Sequence, residues 1–158
     1  MIIGHLPAGY LVAKLCQSFG VKLAIVPFVI GAVIPDIDML YFFLIDNQST
    51  HHHHYITHRP LVWIGAFLIA LALRRTKFGK LLLPFSLGAV LHVMLDTTLG
   101  SILWLWPFSD YARALVVVPA THSHWLYSFM AHWTFWVEIL LVLLALVVFF
   151  SGFRNQKT

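Results

Sequence analysis

Acidic and histidine residues recur at close spacing inside or beside the apolar stretches of this chain: Asp36 with Asp38, His54 with His58, and His92 with Asp96. Ionisable groups at membrane depth are costly, rare, and by default mark function. Imidazole nitrogen and carboxylate oxygen both ligate divalent metals, zinc at about 2.0–2.2 Å. His92 and Asp96 are four residues apart, so on a helix both leave one face and can reach one ion. The plainer alternative is a buried histidine bonded to its own helix neighbour. Thr97 and Thr98 follow and are placed to orient Asp96 from behind.

Asp36 and Asp38 are a different case, because residues two apart on a regular helix point to different faces. Pro35 removes the bond to the Gly31 carbonyl and disfavours helical geometry at Ile34. A kink or unwound turn there can aim both carboxylates inward. Side by side they repel unless a cation or a proton intervenes. The apolar run at 39–45 argues against a solvated helix stop. His54 and His58 share the i,i+4 spacing if their segment is helical. Arg59, alone among Lys and Arg in the 46–59 loop, either pairs an anionic substrate through its fork of donors or sits at the headgroup interface.

His5 lies in Gly4-His-Leu-Pro-Ala-Gly9 and becomes a candidate ligand through its position near the outer end of a first helix. His51, His52 and His53 are weaker candidates, at least two of them expected to face solvent. His122 and His124 alternate in a loop, where they either chelate or rest at the interface beside Trp125. His132 is placed near the aqueous boundary, and Glu138 is a candidate base or orienting residue. Cys16 is the single cysteine, so no disulfide forms within the chain. There is no phosphate-cradling glycine loop and no G-x-S-x-G elbow.

These residues sit in a chain of 158 residues that is 60% hydrophobic and 10% charged, with a mean hydropathy of +0.85. A soluble domain carries about 25% charged residues, so this surface belongs in a bilayer. The expected fold is all-α: a polytopic membrane helical bundle of about four to five helices, with residues 1–158 forming one membrane-embedded domain. Apolar runs predict helices at 2–19, 21–45 (interrupted by Pro27 and Pro35), 60–73, 81–99 and 125–150. The N-terminus shows neither a cationic leader nor a small-residue cleavage site, so no removable signal peptide is expected.

Charge sides the loops. Lys14, Lys22, Arg74, Arg75, Lys77, Lys80, Arg154 and Lys157 fall on one side of alternating spans, and only Arg59 and Arg113 on the other. Excess Lys and Arg mark the cytoplasm; the net charge of +4 therefore reports orientation rather than nucleic-acid binding. At 1.5 Å per residue, Asp38, His58 and Asp96 each lie roughly 24 Å from a cytoplasmic anchor, and His92 roughly 18 Å. In a core of about 30 Å they share one layer near the outer boundary.

The ordered set Gly4-His5…Gly9, Gly31…Pro35-Asp36-Ile37-Asp38, His54…Thr57-His58, His92…Asp96 and Trp106-Pro107-Phe108-Ser109 resembles the YdjM-like family of membrane-bound metal-dependent hydrolases. That family is distantly similar to the zinc-dependent phospholipase C and S1/P1 nuclease group. The resemblance implies metal ligands at His5, Asp36 or Asp38, His58, His92 and Asp96. Where the family pattern reads His-Arg-Gly-x-Thr-His-Ser, this chain reads His53-His54-Tyr55-Ile56-Thr57-His58-Arg59. His54 stands at the arginine position and Arg59 at the serine position, so Arg59 does not simply inherit the arginine's role, and either His53 or His54 is the first family histidine.

The combined expectation is an inner-membrane enzyme of extracytoplasmic orientation. It would bind divalent ions, zinc first and two or more of them, through His5, Asp36, Asp38, His54, His58, His92 and Asp96. Its catalytic residues would be Asp36, Asp38 and Arg59, with Asp36 or Asp38 as general base. Its partner would be a membrane lipid or small-molecule ester or phosphoester, with a phospholipid or lipid-linked phosphate the natural class and no nucleic acid involved. A divalent-metal transporter or metal chaperone, and a non-catalytic scaffold stapled by metal, are the alternatives.

Overall fold

In the computed structural model, which describes residues 1 and 3–154, the chain is a bundle of seven α-helices. They are α1 (His5–Ser18), α2 (Ile25–Gly31), α3 (Asp38–Leu44), α4 (Pro60–Ala72), α5 (Lys77–Asp96), α6 (Trp125–Ala131) and α7 (Trp133–Arg154). Among the described residues the only β pairing is an isolated bridge between Ile102 and Arg113. Ile2 and Lys157 lie outside the described residues.

Five apolar runs become seven helices because two of them break. The first break is at Pro35: α2 stops at Gly31, a 3-10 turn spans Ile34–Ile37, and α3 resumes at Asp38. The two halves meet at a 48° bend, as expected where proline removes a helical hydrogen bond. The second break separates α6 from α7 at His132, whose backbone is extended. No glycine or proline marks it; the His132 ring instead pairs locally with Thr134 Oγ1 at 2.9 Å.

α5 and α7 are long and apolar enough to cross a membrane, and the bent α2–α3 pair makes a third span if counted as one. α5 is the central element, packed against α1, α2 and α4, while α7 leans on α1 and α6. Thr76 caps α5, accepting from the Gly79 N–H at 3.0 Å, and Pro60 opens α4 where its missing N–H has no partner to lose. The α2–α5 crossing is close because both helices lack a side chain at the contact. A Cβ on Gly31 would run into the Phe85 backbone, and one on Gly88 into the Phe28 backbone. Small residues at such crossings are how membrane helices approach. This one delivers the 34–38 turn to the His92 face of α5.

Candidate metal centre

Three stretches of chain converge on Asp96, the last residue of α5. His5 opens α1, and its Nε2 lies 3.0 Å from Asp96 Oδ1. The Met1 amino nitrogen pairs with the same oxygen. Nε2 atoms of His92, His58 and His53 lie 2.9, 3.3 and 3.7 Å from Asp96 Oδ2, yet that oxygen has no partner in hydrogen-bond geometry. Asp36 Oδ1 is 3.6 Å from both His58 Nε2 and His92 Nε2. The His5 and His92 rings stack at 3.7 Å. His58, His92 and Asp96 are fully buried, and His5 and His53 nearly so.

The tautomers follow from what stands behind each ring. His92 Nδ1 donates to the Ala32 carbonyl at 2.9 Å, and His58 Nδ1 donates to Asp38 Oδ2 at 2.7 Å. A neutral imidazole that donates from Nδ1 carries its lone pair on Nε2. The two Nε2 atoms are 3.3 Å apart and face each other beside two carboxylates. Proteins use this arrangement, an outer carboxylate or carbonyl fixing each ligand ring, around metal ions.

Within the cluster, one ligand atom from each of His5, Asp36, His92 and Asp96 lies within 4.8 Å of the others, and the same holds for His53, His58 and Asp96 and for Asp36, His52 and His58. His5 Nδ1 and His53 Nδ1, like Asp96 Oδ2, are buried without a hydrogen-bond partner. The residues present therefore fit a divalent cation.

The cluster differs from the sequence expectation at Asp38, His54, Arg59 and Thr97. Asp38 stands behind His58 rather than beside the ion positions: its Oδ2 also accepts from the Thr57 hydroxyl, and it belongs to none of the ligand groups. His54 points elsewhere, its Nε2 3.4 Å from Ser101 Oγ, and His53 takes the inner place. The reason is local. Residues 52–54 and 56–58 form two 3-10 turns separated by an extended Tyr55, so the i,i+4 spacing of a helix does not apply. Room for the His53 ring comes from Gly100, where a Cβ would meet it.

Arg59 lies with its guanidinium 5.2 Å from the Trp106 ring centroid and makes no described ion pair with the carboxylates. Thr97 donates to the Val93 carbonyl at 2.9 Å and accepts from Trp104 Nε1 at 3.0 Å, so it does not orient Asp96. Glu138, fully buried on α7, accepts the N–H groups of Ile3 at 2.7 Å and Gly4 at 3.0 Å. Helix N-termini leave such donors without partners. Glu138 thus anchors the segment from which His5 projects. No spacing rule links residues 134 positions apart, and only the burial cost of a carboxylate on an apolar helix marked it.

Asp36 is the open side of the cluster. Its side chain is 29% exposed, against 1% for Asp96, and it borders two apolar cavities. Further out, Asp46 accepts hydrogen bonds from the Ser49 and Tyr55 hydroxyls at 2.6 Å each and from the Thr50 N–H at 2.8 Å. These bonds, the Ser49 one foremost, hold its carboxyl down at about 2.

An all-helical chain with membrane-spanning helices and a buried His/Asp cluster is a polytopic membrane protein with the donors of a metal site. Its family model match covers residues 1–158 with the description YdjM inner membrane protein, and the chain belongs to that family. No curated protein matches the chain. No solved structure matches it either.

Proposed function

We propose that this chain is a metal-dependent hydrolase that cleaves an ester or phosphoester of a membrane lipid at the outer headgroup layer. The observation that carries the reading is the pair of facing imidazole Nε2 atoms, 3.3 Å apart, set among Asp36 and the buried Asp96. Uncompensated buried charge is strongly unfavourable, and a divalent cation resolves the conflict. Nitrogen and oxygen donors together suit zinc. Asp96 and Asp36 each belong to two of the ligand groups, so either carboxylate would be available to a cation held by either group.

His5, Asp36, His53, His58, His92 and Asp96 are the ligand set. A bound divalent cation supplies charge for a developing oxyanion and lowers the pKa of water towards neutral. The chain's residues do the rest. Asp38 and the Ala32 carbonyl hold the His58 and His92 rings in one tautomer and one orientation. Asp36, the carboxylate with solvent or substrate access, receives the proton from the attacking water. Buried walls keep bulk water from the other carboxylates. The excess of Lys14, Lys22, Arg74, Arg75, Lys77, Lys80 and Arg154 over Arg59 and Arg113 supports an extracytoplasmic site.

Metal analysis of the purified protein, with phospholipid hydrolysis assayed for wild type, Asp96→Ala and His58→Ala, tests this. Stoichiometric metal and turnover lost in both variants are expected. Full activity after complete metal removal overturns the proposal. Bound metal that raises thermal stability with no turnover on any lipid ester reduces the cluster to a staple between helices.

A further inference from the structure

A cavity of about 630 Å3 opens beside the cluster between α1, α2 and α7, within the range of pockets that hold small ligands. Its walls are apolar apart from His5, Asp36 and the Tyr10 ring. On α7 the wall is Val142, Ala145, Leu146 and Phe149, an i, i+3, i+4, i+7 stripe on one helix face. Glu138, one turn before Val142, heads the same face and is bonded to the Gly4 N–H, which places His5 at the polar end. The Tyr10 and Phe149 rings, 6.0 Å apart, mark the other end. From Glu138 to Phe149 the helix rises roughly 16 Å, close to the roughly 15 Å of one leaflet's half of a 30 Å core.

The groove opens sideways. Leu6 is 57% exposed, Leu146 47% and Phe149 44%, and little of α7 is buried inside the bundle. Because α7 is a candidate membrane span, the surface these residues present faces hydrocarbon. An aqueous ligand has no route along it. The surrounding bilayer supplies chains of the right chemistry, length and direction: a polar end at the cluster near the start of α7, and a tail running towards the middle of the membrane. We propose that the groove is the seat of one acyl chain of a phospholipid, entering laterally and bringing the headgroup ester to Asp36 and His5. This rests on the lipid-hydrolase reading above and specifies how the substrate is held. Apolar wall and chain exclude water along the tail, while the headgroup meets His5 and Asp36.

The test separates seat from chemistry. The full chain is reconstituted in vesicles of phosphatidylethanolamine and phosphatidylglycerol doped with phosphatidylglycerol carrying a photoactivatable diazirine in one tail, and cross-links are mapped by mass spectrometry. Labelling of Val142, Ala145 and Phe149 is expected above that of Leu143 and Val147 on other α7 faces. Ala145→Phe should abolish the excess. Val33→Trp, on the facing wall and already 38% exposed, should do the same if the first variant does not fold. Equal labelling on all faces of α7, or excess labelling that survives both variants, overturns the proposal. So does a detergent-stable dimer that Val33→Trp dissociates, which would assign the groove to a second copy. Cross-linking needs no turnover: labelling without hydrolysis keeps the seat and ends the enzyme reading, and hydrolysis of a short-chain soluble ester without labelling does the reverse.

Discussion

The chain holds two populations of histidine. His5, His53, His58 and His92 are buried; apart from the His92–Asp96 pair on α5, the groups they meet around Asp96 come from elsewhere in the chain, as far as 91 positions away. His122, His124 and His132 are satisfied by neighbours one or two positions away: Thr121 Oγ1 at 3.0 Å, the Leu126 N–H at 3.2 Å and Thr134 Oγ1 at 2.9 Å. The second group starts helices and closes turns. The first brings ring nitrogens of His58 and His92 face to face. A histidine whose needs are met locally is structural; in the buried set the Nδ1 atoms of His58 and His92 are held from behind while their Nε2 atoms converge, which is the arrangement that could hold a cation.

That contrast can be broken by substitution. The largest effect is expected for Asp96→Ala, which removes the carboxylate shared by two ligand groups. Metal content of the purified protein should fall below stoichiometry, a loss in affinity beyond the ~10–100-fold typical of an outer partner. Asp38→Asn should fall within that ~10–100-fold range, because it weakens the hold on His58 without deleting a ligand. Competition with a chelator of known affinity measures both. If Asp38→Asn matched Asp96→Ala, Asp38 would be a ligand itself.

Gly88→Ala forces α2 away from α5 and should destabilise the bundle by about 1–3 kcal/mol, the usual cost of overpacking, read by unfolding in detergent with and without metal. His122→Ala and His124→Ala should leave metal content unchanged; His124→Ala should cost about 1 kcal/mol as the loss of a helix cap. Metal loss in either would dissolve the distinction between the two populations.

The smallest effect concerns the Asp46 network. Because its folded pKa is depressed to about 2, its contribution is present above the ordinary carboxylate range and is lost as pH falls through that value. Amide exchange at Thr50 should accelerate only in strong acid, and Asp46→Asn should remove the pH dependence.

Much of this was legible in the chain itself. Composition places it in a membrane, and Pro35 foretells the turn that brings Asp36 inward. The i,i+4 pair of His92 and Asp96 needs only helical geometry to share a face. What resisted was whatever depended on a loop or on remote packing. Four consecutive histidines give no hint of which one enters, because the two 3-10 turns and the space left by Gly100 choose His53 over His54. The break before α7 carries no helix breaker; His132 is extended there and its ring meets Thr134.

The sequence by itself determined the solvent, the apolar spans and the kinds of donor atom, since these follow from side-chain chemistry and from periods of a few residues. Only the tertiary structure decided which donors meet, that Asp38 pairs with His58 Nδ1, and that Glu138 anchors the start of α1. Those outcomes depend on how closely α2 approaches α5 and α7 approaches α1. Helix approach is set by packing between residues far apart in sequence, and no local spacing encodes it.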